Sequence, residues 1–101
     1  MERIETSEVI VKIPPSMASE VDGPEIVGML LDKALGKREF FGSKIKVFES
    51  KYGTDFAAFK KTTEIGEEKF DEWDDLLIWE GYVLAYREWD RKYEDLKRCM
   101  T

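Results

Sequence analysis

Large aromatic rings recur along the C-terminal third of the chain at the spacing of one helix face. We call this stripe the aromatic seam; its members follow at alternating steps of 3 and 4 residues: Trp79, Tyr82, Tyr86, Trp89, Tyr93, Leu96 and Met100. Alternating steps of this kind keep side chains on one side of an α-helix. The pattern predicts a long C-terminal helix over about residues 67–100, a span without proline.

A second apolar group lies on the other side of this predicted helix. Phe70, Trp73, Leu77 and Leu84 cluster there when each residue advances by about 100°. A helix that is apolar on two sides needs two neighbours. Alternatively, it breaks near Gly81, so that both halves face the same core. The sequence leaves both arrangements open.

Three roles are open for the aromatic seam itself. It packs inside the chain, it forms a coiled coil with another copy, or it binds a partner. Tyr and Trp are favoured where a partner covers a face, and they are frequent among interface hot spots. The chain also has six Phe with which to build a core. We therefore predict a partner-binding site made of Trp79, Tyr82, Tyr86, Trp89 and Tyr93.

Two further amphipathic stretches precede the seam. Asp22 is a predicted N-cap, and apolar residues follow it at helical spacing until Gly36 or Gly42 ends or kinks the helix. A second stretch places four apolar residues at steps of 4, 3 and 4, ending at the predicted cap Gly53: Phe41, Ile45, Phe48 and Tyr52. Thr54 is predicted to cap a short helix over residues 54–60, before a polar break over residues 60–68.

The N-terminal segment has the alternation of a β-strand. Val9, Val11 and Ile13 alternate with the rest of the segment, and Pro14 and Pro15 end it. Pro15 also suits the first position of a short helix over residues 15–21. A strand needs a partner, and the chain shows no second one, so we predict pairing with the same strand of another copy.

These elements predict one domain of mainly α class. One short N-terminal strand is followed by three or four helices, the last of them long. Residues 1–62 form the dimerising strand–helix–helix part, and residues 63–101 form the acidic, aromatic C-terminal helix. We expect a homodimer that pairs through the strand.

Charge is concentrated toward the C-terminus. The net charge is −6, and residues 63–101 carry 12 acidic and 6 basic side chains. Such a chain repels nucleic acid and attracts basic proteins, because opposite potentials speed encounter. We predict that a small basic protein is steered by four carboxylates: Asp71, Glu72, Asp74 and Asp75.

The residue types argue against an enzyme. The chain has no His and a single cysteine, Cys99, near its end, so the usual nucleophile–histidine pairs are excluded. Glu68, Asp71, Glu72 and Asp75 have the spacing for a magnesium site. All four come from one stretch, however, so we interpret them as the acidic first turn of a helix. We expect no catalytic residue, metal or cofactor.

The remaining composition bears on location. One cysteine excludes an internal disulfide, no secretory leader is visible, and the longest apolar stretch, residues 76–86, is interrupted by Glu80. We expect a cytoplasmic protein without a membrane span. Charged residues make up 38% of the chain, and Asn and Gln are absent, a composition typical of heat-adapted organisms.

The order of strand, short helix and longer helix supports an alternative function. It is the order of a ribbon-helix-helix DNA-binding unit, in which paired strands lie in the major groove. The outward residues of the strand would then contact DNA: Glu8, Ile10 and Lys12. One acidic and one basic side chain form a weak contact set for DNA.

Four stretches carry a family resemblance. VIVKIPPSMASEV (9–21) followed by IVGMLLDKAL (26–35) resembles the N-terminal half of small archaeal VapB-like antitoxins of type II toxin–antitoxin systems. FESKYGTDFAAFK (48–60) and WDDLLIWEGY (73–82) resemble stretches of small archaeal proteins of antitoxin type. The resemblance implies a non-enzymatic inhibitor. Its N-terminal part would dimerise and bind operator DNA, and its C-terminal helical part would wrap a basic ribonuclease toxin.

Overall fold

The protein is a helical hairpin with a short third helix packed at one end. The computed structural model describes residues 6–66 and 70–99. Its helices are α1 (Pro15–Ala18), α2 (Gly23–Tyr52), α3 (Phe56–Ile65) and α4 (Phe70–Cys99). The mainly helical class and the long C-terminal helix are therefore confirmed.

Helices α2 and α4 run antiparallel along one another. Arg38 meets Asp90 close to the middle of the hairpin, in the half nearer its open end, and Lys51 meets Asp75 near its closed end. Helix α3 packs against α4 only at the closed end. The molecule is accordingly elongated, with extents of 62 × 35 × 20 Å.

The ends of α2 follow the sequence prediction. The Asp22 carboxylate accepts a hydrogen bond from the Glu25 amide at 2.8 Å, as an N-cap does. Gly53 ends the helix in the left-handed region at φ 65°, and its amide donates to the Glu49 carbonyl at 2.8 Å. Both predicted caps are confirmed.

Helix α2 is continuous through Gly36 and Gly42, so the prediction that one of them ends the helix is wrong. Glycine costs roughly 1 kcal/mol in a helix interior, and packing along α4 offsets that cost. Gly42 lies against the ring of Tyr86, where an added Cβ would come within 3.3 Å of Cε2. A small residue therefore lets the two helices approach at this level.

Helix α3 also differs in detail from its prediction. Its N-cap is Asp55 rather than Thr54; the Asp55 carboxylate accepts from the Ala58 amide at 2.8 Å. The helix continues to Ile65, so residues 60–65 are helical where a polar break was predicted. Thr63 adapts to this setting, since its hydroxyl donates to the Phe59 carbonyl at 2.8 Å.

The core lies at the closed end, where three helices meet. Phe59 of α3 and Leu76 and Trp79 of α4 are buried together. A ring of partly buried side chains surrounds them: Ile45, Phe48, Tyr52, Phe56, Trp73 and Val83. Helix α4 passes through Gly81 without a break, so of the two arrangements left open, the continuous helix is the one observed.

The predicted N-terminal strand has no counterpart in the part of the chain that the structure describes. Residues 6–14 form no regular secondary structure, and all of them are exposed. A strand requires backbone hydrogen bonds to a neighbouring strand, and the described residues of one chain provide none. From residue 6 onward, the first regular element is instead α1, which begins at Pro15 as predicted.

Candidate functional site

The aromatic seam has different surroundings along its length, and Trp79 has the most enclosed position. Its side chain is 0% exposed. The indole stacks on Phe48 with ring centroids 5.4 Å apart, and Phe59 covers it at 5.2 Å. The intramolecular core role therefore describes Trp79. In this fold it offers no surface to a partner, because α2 and α3 supply its neighbours.

The indole N–H of Trp79 is buried as well. Nε1 has no hydrogen-bond acceptor among the described residues. A buried donor without an acceptor costs about 1–3 kcal/mol relative to a satisfied one. The ring-to-ring packing around Trp79 has to outweigh that cost.

The middle of the seam is half-buried between the two long helices. The Tyr82 ring lies 6.2 Å from Phe41 and 6.1 Å from Phe48, measured between centroids. Tyr86 packs over Gly42. Both tyrosines are thus mainly parts of the α2–α4 contact, with one edge left at the surface.

The last part of the seam lies where α3 does not reach. The Arg38 guanidinium sits 4.6 Å above the Tyr93 ring and donates to Asp90 at 3.0 Å. The Lys92 ammonium lies 4.4 Å from the ring centre of Trp89. Trp89 and Tyr93 are half-buried, so they remain accessible from one side.

A groove follows this accessible side of Trp89. Its volume is about 290 Å³, and α2 and α4 line it together: Leu30, Lys33, Ala34, Trp89, Lys92, Asp95 and Leu96. Most of its lining is aliphatic or aromatic, with two lysines and one carboxylate at the rim. Such a surface suits contact with an amphipathic segment better than chemistry on a small molecule.

The four predicted steering carboxylates have unequal surroundings. Asp71 and Asp74 are exposed, and Glu72 is half-buried. Asp75 is different, because it accepts hydrogen bonds from both Lys51 (2.6 Å) and the Tyr52 hydroxyl. The Lys51 hydrogen bond, followed by that from Tyr52, lowers the pKa of Asp75. Asp75 thus joins α2 to α4 and carries a charge that is already balanced.

The pKa of the Tyr52 hydroxyl, which donates to Asp75, shifts in the opposite direction. Burial, followed by the hydrogen bond to Asp75, raises the pKa of Tyr52. The Tyr52 ring packs on Phe59 at 4.2 Å between centroids and on Trp79 at 6.0 Å. The Asp75 cluster is therefore continuous with the aromatic core, and its position indicates a structural role.

The magnesium alternative gains no ligand set. Within residues 6–66 and 70–99, no group of three or more Asp, Glu or Cys side chains is arranged to hold a metal ion. Glu68, one of its four candidate ligands, lies outside the described residues. Asp75, another of them, is already bound by Lys51 and Tyr52.

Among the residues whose side chains the structure describes, the N-terminal arm, residues 6–14, carries the most exposed apolar side chains. Val9 is 84% exposed and Ile10 88%, and Val11 and Ile13 are exposed too. Glu8 and Lys12, the other predicted DNA contacts, share this exposure. The next helix, α1, has only four residues, so this region lacks the helix of several turns that a ribbon-helix-helix unit places after its strand.

The sequence interpretation missed a second heptad pattern on α2. Apolar and lysine side chains follow one another there at alternating steps of 4 and 3 residues. We call this set the lysine row: Ile26, Leu30, Lys33, Lys37, Phe40, Lys44, Val47 and Lys51. All eight are exposed. The alternating steps of 3 and 4 that identify the seam are present in this row too. A search for apolar faces does not find it, because half of its members are lysines.

No protein-family model, no curated protein and no solved structure matches the chain. No helix in the described residues combines the length and the hydrophobicity needed to cross a membrane.

Proposed function

We propose that the protein is a non-enzymatic, antitoxin-like binding protein that captures and neutralises a small basic protein, such as a ribonuclease toxin. The observation that carries the proposal is the N-terminal arm. Val9, Ile10, Val11 and Ile13 are large, apolar and exposed, and in the described residues nothing covers them. Exposed apolar segments of this kind mark sites of protein interaction.

The arm has the chemistry for adding a strand to another protein. Its β-branched residues favour extended backbone, and its residues are free of helix and sheet in the described chain. An extended segment that joins a sheet edge gains backbone hydrogen bonds, and its alternate side chains enter pockets. Val9, Val11 and Ile13 would supply those side chains.

The charge of the chain favours a basic partner. The net charge is −6, and the excess of acid lies in residues 63–101. Asp71, Glu72 and Asp74 contribute to the negative potential on α4, whereas Asp75 acts mainly within the fold. Long-range attraction of this kind raises the association rate and weakens with salt. The half-buried end of the seam, Trp89 and Tyr93, provides further contact area.

Two other aspects of the proposal rest on the sequence. The resemblance to archaeal antitoxins supports the functional class, and a single cysteine suits action in a reducing cytoplasm.

The arm has a second possible occupant, which is the same arm of another copy. The experiment below separates the two.

The direct test is co-purification of the tagged protein with the product of the neighbouring reading frame, with the mass measured by light scattering. We expect a stable complex with a small basic protein, and its loss in the double variant Val9→Ser, Val11→Ser. Leu84→Ser is the matched control, because it removes an exposed apolar side chain from α4. Failure to form any complex, or an equal complex with the arm variant, would refute the proposal.

A further inference from the structure

One face of the α2–α4 hairpin carries two complementary rows of side chains. Helix α3 occupies the opposite side of α4, where Phe59 packs near Leu76 and Lys60 pairs with Glu80 at 3.4 Å. The lysine row of α2 therefore lies on the face away from α3. In the described residues nothing packs over this face.

Helix α4 contributes its own row to the same face. At steps of 3 and 4 it contains four carboxylates, one lysine and three small or apolar residues, and we call it the acidic row: Asp71, Asp74, Ile78, Gly81, Ala85, Glu88, Lys92 and Asp95. Leu30 and Lys33 of the lysine row line one groove with Lys92 and Asp95 of the acidic row. The two rows thus run side by side.

The two rows carry opposite charge. The lysine row has four lysines and no carboxylate, and the acidic row has four carboxylates and one lysine. Within one chain Lys51 already pairs with Asp75, and Glu88 with Lys92 at 3.3 Å, so three lysines and three carboxylates carry the contrast between the rows. One copy therefore presents a positive strip beside a negative strip on a single face. A second copy is complementary to this face when the lysine row of each copy lies against the acidic row of the other.

We propose that this face joins two copies of the chain into a dimer with its two-fold axis parallel to the long helices. That axis keeps every residue at its own height along the hairpin. It places α2 of one copy against α4 of the other. The alternative axis, across the helices, would place the lysine rows against each other, and like charges in contact are unfavourable.

The heights of opposing residues follow from contacts within one chain. Arg38 is level with Asp90, and Phe48 is level with Trp79. Continuing from the first pair toward the open end of the hairpin brings Lys33 level with Asp95 of the second copy. Lys37 comes within a helical turn of the second copy's Glu88.

The centre of the face is apolar and has room for close approach. Phe40 is 51% exposed and Ile78 49%; Phe40 is the fifth of the eight members of the lysine row, and Ile78 is the third of the eight members of the acidic row. A Cβ added at Gly81 would meet nothing within 4 Å. The surface of the acidic row is therefore shallow at Gly81 and leaves room for a side chain of the second copy. Phe40 and Val47 of one copy are positioned to pack against Ala85, Gly81 and Ile78 of the other, in the manner of interdigitating helices.

This interface is separate from the N-terminal arm. The lysine and acidic rows lie on α2 and α4, and residues 6–14 precede both helices. Dimerisation through the rows leaves the arm available for a partner. It also differs from the dimer predicted from the sequence, which used the arm as a strand, so the two dimers are separable by mutation.

The test is sedimentation equilibrium of the full chain over a range of concentrations, with a charge swap. We expect a dimer in the wild type. Lys33→Glu and Asp95→Lys should each weaken it at least tenfold. The two single variants mixed in equal amounts should recover most of the wild-type affinity, because in the mixed dimer opposite charges face each other across the two-fold axis while like charges remain within each chain. Recovery of this kind is the signature of a direct pair.

A second pair of variants tests the apolar centre. Phe40→Ser should weaken the dimer, whereas Leu84→Ser, which removes a side chain of similar exposure (56%) from α4 outside the two rows, should leave it unchanged. Circular dichroism at the concentrations used would show that both variants remain helical.

Three results would overturn the proposal. The first is a wild-type monomer at all concentrations. The second is a dimer that persists in Lys33→Glu but is lost in Val9→Ser, Val11→Ser, which would assign dimerisation to the arm. The third is a monomer that binds vesicles of anionic lipid through the lysine row, because lysines and apolar residues on one helix face also suit such a surface.

Discussion

The two ends of the hairpin use the same aromatic spacing with different results. At the closed end, Trp79 is enclosed by Phe48 from α2 and Phe59 from α3. At the open end, Trp89 occupies an equivalent seam position ten residues later. It is only half-buried, beside a groove. The difference is α3, which packs at the closed end alone.

The two ends show that helical spacing determines which side chains share one helix face, but not which other element packs over that face. Two antiparallel helices bury only the strip between them, and a third element is needed to enclose a ring as large as indole. The closed end therefore acts as the core that holds the fold. The open end retains accessible surface that a partner or a second copy could cover.

The largest expected effect separates the two tryptophans. Trp79→Ala removes the centre of the core and should lower the free energy of unfolding by about 3–5 kcal/mol. Trp89→Ala should cost about 1–2 kcal/mol, because its ring is already partly hydrated. Urea unfolding monitored by circular dichroism measures both. Equal losses would show that the open end is packed as tightly as the closed end.

A second prediction concerns the polar contact at the closed end. Asp75→Asn should cost about 1–2 kcal/mol at neutral pH, because two charge-assisted hydrogen bonds from Lys51 and Tyr52 are weakened. Asp74→Asn, one residue earlier and exposed, should change stability by less than about 0.5 kcal/mol. Thermal and urea unfolding of the two variants provide a matched comparison.

The pH dependence gives the same contact a separate test. The pKa of Asp75 is lowered from 3.8 by Lys51 and Tyr52, so its stabilising contribution is complete above that ordinary value. The contribution disappears as pH falls through the lowered pKa. The stability difference between the wild type and Asp75→Asn should therefore shrink in strong acid. A difference that stays constant from neutral pH to pH ~2 would contradict the assignment.

The third prediction probes the ion pair in the half of the hairpin nearer its open end. Arg38→Met should cost about 1 kcal/mol, because Arg38 contacts Asp90 and stacks over Tyr93 in a partly hydrated setting. Unfolding at low salt and in 1 M salt would separate the parts, since salt screens the ion pair more than the stacking. A loss of 3 kcal/mol or more would indicate a desolvated pair and a tighter open end than the structure has.

The smallest effect compares two glycines in α2. Gly28→Ala should stabilise the helix by about 0.5–1 kcal/mol, because an added Cβ meets nothing within 4 Å. Gly42→Ala should gain less or lose stability, because its Cβ would approach Tyr86 at 3.3 Å and the ring must move. Equal gains at both positions would show that the helices are free to separate at Gly42.

Local features of the fold were predictable from the sequence, because their causes are local. Asp22 and Gly53 bound α2 through contacts within a few residues, and both were identified. The long C-terminal helix was identified from its spacing. Pro15 begins α1 for the same reason, since its fixed φ and missing donor suit a first helical turn.

Features that depend on distant residues were missed. Continuity through Gly42 depends on Tyr86, 44 positions later in the chain. Residues 60–65 extend α3 although five of the six are polar, because Phe59 anchors the helix in the core and the buried Thr63 satisfies its hydroxyl on the Phe59 carbonyl. Thr54 and Asp55 are both capable N-caps, and propensity alone does not choose between neighbours.

The candidate site shows the same division. The spacing correctly placed Trp79, Tyr82 and Tyr86 on one side of α4. Their assignment to a partner did not account for Phe48, Phe41 and Gly42, which face them from α2. The predicted strand over residues 9–13 requires backbone hydrogen bonds from a second chain, so a pattern within one chain does not determine whether it forms.

We propose that the protein binds its partner through the exposed N-terminal arm and not through the core of the seam. Hydrogen exchange on the free protein and on the co-purified complex tests this most directly. We predict immediate exchange of residues 8–13 in the free protein, strong protection around Trp79, and new protection of residues 8–13 in the complex. An arm that is equally unprotected in the complex, with new protection confined to Trp89 and Tyr93, would contradict the account.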